Sequence, residues 1–299
     1  MIRLFPDYPA HVLHTVVAEK RSEWWRTLAG CVAIVAVYLL LAQLYQMILF
    51  SVTNGRPGFL EQLIEGSSPL AMLVLLGSFG LISASVFIVV QFFHKRAALG
   101  VVGPLSLAVP QFVRVVAMLT VLGVVLSILP PYGYDAPLVP NLTVGVWLLL
   151  LPLSLVAVFV QISAEEILFR GYLQQQLGAR FRSPLVWMVI PSALFALGHY
   201  QPGEAGENAV MITVWAGVFG LLMADLTARA GSIGPALAVH FVNNVTALVF
   251  TSLPDSLSGL ALYHTPFGMG DAEMLRAWLP VDFAVMFVSW LAARLALRR

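Results

Sequence analysis

Residues 142–173 read LTVGVWLLLLPLSLVAVFVQISAEEILFRGYL. An apolar run of about 20 residues, the length that spans hydrocarbon as a helix, leads into Glu165, Glu166 and Arg170. An ionisable group at membrane depth costs at least a few kcal/mol and is kept where it faces a partner or a water-filled cavity. The stretch therefore predicts a membrane helix that carries a site.

Outward from that helix the whole chain has the same character. It has 299 residues, 60% hydrophobic and only 10% charged, with a mean hydropathy of +0.89. An ordinary soluble domain is excluded, and the apolar runs lack the period of two that a membrane barrel requires. The prediction is an all-α, polytopic transmembrane helical bundle. The net charge of +1 and the lack of a long basic run argue against nucleic acid or acidic substrates as partners. Cys31 is the only cysteine, so no internal disulfide forms, and it reads as a small hydrophobe. Residues Met1 to Glu23 are mixed and polar, unlike a cleaved leader.

Apolar runs between charged or Pro/Gly-rich breaks predict eight helices, at 27–50, 70–93, 112–129, 142–163, 184–200, 209–229, 233–251 and 277–297. Trp24, Trp25, Trp147, Trp187, Trp278 and Tyr132 fall near their ends, where an interfacial aromatic belt would lie. Lys and Arg collect on one side: Arg3, Lys20, Arg21, Arg26, Lys95, Arg96, Arg114, Arg180, Arg182, Arg229, Arg294, Arg298 and Arg299. The other side holds Arg56 and Arg276 among mostly acidic residues, including Asp135. Positive charge is retained inside, so both termini are expected in the cytoplasm. Residues 1–26 read as a cytoplasmic segment and 27–299 as a single membrane domain. Within it, Gly171 to Arg182 reads as a short amphipathic surface helix.

The polar residues of the apolar segments recur at helical spacing. Side chains four apart share a face, so Glu166 pairs with Arg170, Phe195 with His199, and His240 with Asn244. Glu165 is turned about 100° from Glu166 and has a different task. Singly these are ordinary: a Glu–Arg pair is usually a clasp, and membrane His or Asn often joins helices. Together, Glu165, His199, His240 and Asn244 supply a base, two imidazoles and an amide from three segments, a set able to activate water and hold an oxyanion. Gln161, one turn before Glu165, faces the same way. Asp225 is spaced to pair with Arg229. Ser154 and Ser163 lack the partners of a serine triad and read as packing groups. His11, His14, His94 and His264 read as surface residues at loops or helix ends.

The strings EEILFRGYL at 165–173, FALGH ending at His199 and HFVNN beginning at His240 resemble the CPBP family of intramembrane proteases, which includes the CAAX prenyl endopeptidases and bacteriocin-processing relatives. GLLMADLTARAGSIGPALAVH resembles the family's approach to its last motif. The resemblance covers about residues 145–250, the expected protease core. It implies an intramembrane endopeptidase acting on a membrane-associated, possibly lipidated, peptide or protein within or at the edge of the lipid bilayer. By motif position Glu165 is the general base and His199 helps orient water. His240 and Asn244 then form the oxyanion hole, and Glu166 with Arg170 holds the helix end.

A zinc mechanism with Glu165, His199 and His240 as ligands stays open beside this metal-free one. No HExxH helix is present, and Asn is a poor zinc ligand. Two non-protease readings are a membrane scaffold or immunity protein that binds a peptide or partner protein, and a proton-coupled transporter. A scaffold has no need of Glu165 together with Asn244, and the halves show no inverted repeat. Short loops favour a multi-pass protein of a bacterial plasma membrane.

Overall fold

The computed structural model describes residues 7–129 and 137–298; the positions assigned above to Arg3, Tyr132, Asp135 and Arg299 lie outside them. Among the described residues six helices are long and apolar enough to cross a membrane: α1 (Trp24–Thr53), α2 (Pro69–Phe93), α3 (Leu105–Ser127), α4 (Val144–Arg180), α6 (Pro202–Ala230) and α8 (Ala272–Leu297). Two shorter apolar helices, α5 (Leu185–Gly198) and α7 (Gly234–Phe250), fall between them. The expected helical bundle is what forms. Three two-residue strands make a small sheet in which Tyr263–His264 lies antiparallel to Val139–Pro140 and parallel to Thr251–Ser252.

Two apolar cores organise the bundle. One joins Ile34 of α1, Met72 and Val86 of α2, Val158 and Ile162 of α4 and Leu237 of α7. The other joins Val115 and Leu119 of α3, Phe195 of α5, Phe219 and Met223 of α6, Val239 of α7 and Met286 of α8. Helix α7 contributes to both, packing against α3, α4 and α6. Its polar face therefore sits at the seam. Around the outside, Leu39, Leu44, Val124, Leu149 and Leu291 are exposed, as expected of side chains that a bilayer would cover.

The observed helices correct several predicted boundaries. Helix α3 begins at Leu105 with Pro110 inside it, because a membrane helix tolerates proline where neighbouring groups satisfy the freed carbonyl. Helix α4 does not end at 163. It continues through the carboxylates and a π-helical turn at Ile167–Gln174 to Arg180. Both carboxylates make side-chain bonds within the bundle, so they do not act as a boundary.

The amphipathic surface helix expected at 171–182 is likewise absent. Gln174, Gln175 and Gln176 are fully buried, and each donates to a backbone carbonyl of another segment. Gln174 reaches Ala224 (3.0 Å), Gln175 reaches His14 and Gly100 (2.8 Å each), and Gln176 reaches Arg21 (3.2 Å). The segment before α1, including a short helix at His11–Thr15, packs over this end of α4. His11, His14 and His94 are accordingly buried, not on the surface. Gly30 of α1 permits the approach, since a Cβ there would collide with the Tyr172 hydroxyl and lie 2.8 Å from His94 Nε2.

The aromatic belt is partly a core. Trp24 and Trp25 are exposed, but Trp147 and Trp187 are buried, and Trp147 Nε1 donates to the Val249 carbonyl at 2.8 Å. Asp225 pairs with Arg229 as expected (2.8 Å) and also accepts from Tyr8 (2.7 Å) and Trp290 (3.0 Å). Ser154 donates to the Leu150 carbonyl at 3.0 Å, as a packing group does.

Candidate active site

Helix α4 rises 1.5 Å per residue, which puts Glu165 roughly 30 Å along it from Val144, close to a full bilayer crossing. The site thus lies toward one end of the bundle, where the seam between the two cores closes. Successive residues point about 100° apart, and the structure sends the two carboxylates to different partners.

Glu166 is completely buried. Its Oε1 accepts from Arg170 Nη1 at 2.9 Å and lies 2.8 Å from His240 Nδ1. Arg170, also buried, donates its Nη2 to the Gly220 carbonyl at 3.2 Å. At the same residue α6 also approaches α5 closely, which Gly220 allows: a Cβ there would sit 2.9 Å from the Ser192 Cβ. The Arg170 guanidinium also lies 4.7 Å from the Phe195 ring centre, within reach of a cation–π attraction. Arg170 and Glu166 thus clasp the helix and also fix the imidazole of α7.

Glu165 is 15% exposed at its side chain. Its Oε1 accepts from Gln161 Nε2 at 2.7 Å. Its Oε2 lies 3.5 Å from His240 Nε2, an ion-pair approach without hydrogen-bond geometry, and is buried with no hydrogen-bond partner. The two nitrogens of His240 therefore face the two carboxylates, Nδ1 held by Glu166 and Nε2 directed toward Glu165. Such a grip selects the ring orientation in the way a carboxylate orients an imidazole in many hydrolytic sites.

Asn244, one turn after His240, donates Nδ2 to Gln161 Oε1 at 2.8 Å and accepts from Asn243 Nδ2 at 3.1 Å. His199 pairs its Nδ1 with the Phe195 carbonyl at 2.9 Å, which leaves Nε2 for another partner. Phe195 lies among these groups, its ring 4.4 Å from that of His199 and 6.2 Å from that of His240. Phe219 closes the other side of His240 at 5.0 Å.

The structure thus places Glu165, Glu166, Arg170, His240 and Asn244 in two hydrogen-bonded groups that meet where Glu165 approaches His240, with Phe195 between them and His199. Gln161 proves central, and its position one turn before Glu165 is the signal for it. Asn243 and the Gly220 carbonyl are additions; the first is visible only as a doubled Asn, and the second, a backbone group, leaves no signal. Among the described residues no three His, Cys, Asp or Glu side chains are grouped to hold a metal ion. A cavity of about 720 Å³ between α1 and α2, with Tyr38, Tyr45, Arg56 and Leu81 in its wall, includes none of the cluster residues.

Comparison with known proteins meets the same segment. Residues 146–246 match the family model described as type II CAAX prenyl endopeptidase Rce1-like. The chain is 28% identical over 254 residues to the uncharacterized protein YyaK of Bacillus subtilis (strain 168), covering 81% of this chain and 82% of that protein. No solved structure matches. The matched segment, about a third of the chain, contains Gln161, Glu165, Glu166, Arg170, His199, His240 and Asn244, so the site lies where the chain is similar to the Rce1-like type II CAAX prenyl endopeptidases.

Proposed function

We propose that the protein is an intramembrane endopeptidase that hydrolyses a peptide bond of a membrane-associated, possibly lipidated, substrate through a water activated by Glu165. The observation that carries this reading is the Glu165 carboxylate itself, with Oε1 fixed by Gln161 and Oε2 buried without a hydrogen-bond partner beside His240. A general base needs a held carboxylate with one oxygen not already taken by a donor.

Glu165 takes a proton as the water oxygen attacks the scissile carbonyl, and His199, through its open Nε2, helps orient that water. The oxyanion is held by Asn244 Nδ2 and by His240 Nε2, which for this role carries a proton while Nδ1 donates to Glu166. Two carboxylates, the guanidinium and the protonated imidazole then balance in charge, which limits the cost of burying them. Glu165 returns its proton to the departing amine as the C–N bond breaks. No step runs through a metal.

In this reading the chain crosses the bilayer eight times with both termini and residues 171–182 on the cytoplasmic side, in a bacterial plasma membrane. A reporter fused near Glu204 then reads as exterior, and a cytoplasmic signal there overturns the topology. For the chemistry, purified protein in liposomes is tested on a fluorogenic prenylated CAAX peptide. Glu165→Gln should lose about 10²-fold or more of turnover with the fold intact. Equal turnover in both proteins would overturn Glu165 as the base, and no turnover in either would favour the scaffold reading. Activity should survive strong chelation; about one zinc per chain, with turnover lost on chelation and restored by zinc, would overturn the glutamate mechanism.

A further inference from the structure

Gln161 Nε2 donates to Glu165 Oε1 (2.7 Å), Asn244 Nδ2 donates to Gln161 Oε1 (2.8 Å), and Asn243 Nδ2 donates to Asn244 Oδ1 (3.1 Å). This is a single row of three amides ending on a carboxylate. An ionised carboxylate only accepts, whereas an amide has one accepting and one donating end. A charged Glu165 therefore compels Gln161 to present its NH2. Its oxygen must then face Asn244, which must offer NH2 in turn and accept from Asn243. One charge orients all three amides. A primary amide has two N–H bonds, and only one of those on Asn244 is used by Gln161.

From this row we propose that Gln161 is a positioning residue that couples the base to the oxyanion donor: the charge on Glu165 sets the orientation of Asn244 through it. The inference rests on the roles proposed for Glu165 and Asn244 and adds the link between them. No motif string includes Gln161. It is 6% exposed, and the plain alternative is an amide that only joins α4 to α7, as polar side chains do in membranes. The two differ at long range. An amide acting as glue affects what it touches, whereas an oriented row carries a change at Glu165 to Asn244, with which Glu165 shares no hydrogen bond.

The test observes Asn244 directly. In detergent-solubilised full-length protein carrying ¹⁵N-labelled Asn, the Asn244 side-chain amide signals are identified by their loss in Asn244→Ala. Gln161→Met should shift them and speed their hydrogen exchange about 10-fold or more, by removing the acceptor. Glu165→Met, at the far end of the row, should shift them too. Asn244 signals that move in Gln161→Met but stay in place in Glu165→Met reduce Gln161 to local glue and overturn the proposal. If Gln161→Met does not fold, Glu165→Met decides alone: Asn244 signals that stay in place in it overturn the proposal.

Turnover of the prenylated peptide gives a second arm. Gln161→Met should lower kcat by about 10-fold with KM within about 2-fold, as misplacement of reacting groups does. In an Asn244→Ala background the same substitution should cost about 3-fold or less. An equal factor in both backgrounds overturns the coupling. Full activity of Glu165→Gln overturns the proposed chemistry instead, while the amide signals still decide whether the row is oriented.

Discussion

Arg170 divides helix α4 into two polar regions built on different rules. Before it, Gln161, Glu165 and Glu166 bond to side chains, including His240 and Asn244 from α7. After it, three consecutive glutamines bond chiefly to backbone carbonyls of the segment before α1, of the loop after α2 and of α6. The first region concentrates charge, and the second satisfies the polar backbone of segments that lie against it. A buried carboxylate without its partner costs far more than a buried amide without one. The two halves of one helix should therefore fail by different amounts.

The sharpest break of this comparison is Glu166→Gln. It takes the charge from a fully buried group that holds both Arg170 and His240, and such a loss destabilises by about 3 to 5 kcal/mol. Thermal unfolding in detergent should show a large fall in Tm together with low yield. Normal stability combined with lost turnover would mean that Glu166 acts in the reaction and not in its support.

On the far side of Arg170 the expected losses are smaller. Gly30→Ala drives a methyl into the Tyr172 hydroxyl and against His94, an overpacking that costs about 1 to 3 kcal/mol. Gln175→Met, which abandons the carbonyls of His14 and Gly100 and the Arg96 Nη1 that donates to it at 2.5 Å, should cost about 1 to 3 kcal/mol. Both are measured as Tm in the same detergent. A Gln175→Met loss equal to that of Glu166→Gln would erase the distinction between the regions.

The two regions also differ in how far the sequence reveals them. Glu166 with Arg170 and His240 with Asn244 stand out because their spacing places each pair on one helical face, and charge in an apolar run has few innocent explanations. The bond from Glu166 to His240 joins residues 74 apart, which spacing on one helix does not report. In the glutamine triplet, alternation with Leu173 and Leu177 looks like a helix lying on a membrane surface. The true acceptors are backbone carbonyls, which every residue carries and no residue type marks. The same blindness misplaced His11, His14 and His94, since their burial follows from how the leading segment folds back over α4. The helical bundle was legible from hydropathy, whereas the continuation of α4 past 163 depended on pairing that only the packed structure shows.

The mildest perturbation uses the histidines of the leading segment, which separate the regions by pH. Burial pulls His11 down to about 3, with neighbouring His14 adding to the shift, and pulls His14 down to about 4, where the hydrogen bond to the Arg170 carbonyl opposes the shift and nearby Arg96 adds to it. The groups facing them are His14, Trp187 and Gly178 around His11, and Arg170, Arg96 and His11 around His14. Both are neutral in the folded segment and take up a proton near 6.5 once released. The released state binds more protons, so docking is complete above about pH 6.5 and weakens as pH falls toward the folded values. At pH 6 each histidine contributes a factor of only about four to opening, and the effect grows at pH 5. Hydrogen exchange of residues 8–22, corrected for its intrinsic pH dependence, should therefore rise from pH 7.5 to pH 5, and His14→Gln should flatten the rise. Glu166→Gln should leave that slope in place, because the His14 ring bonds the Arg170 backbone carbonyl and not the guanidinium that Glu166 holds. Exchange independent of pH would show that the segment is held without regard to the charge of its histidines.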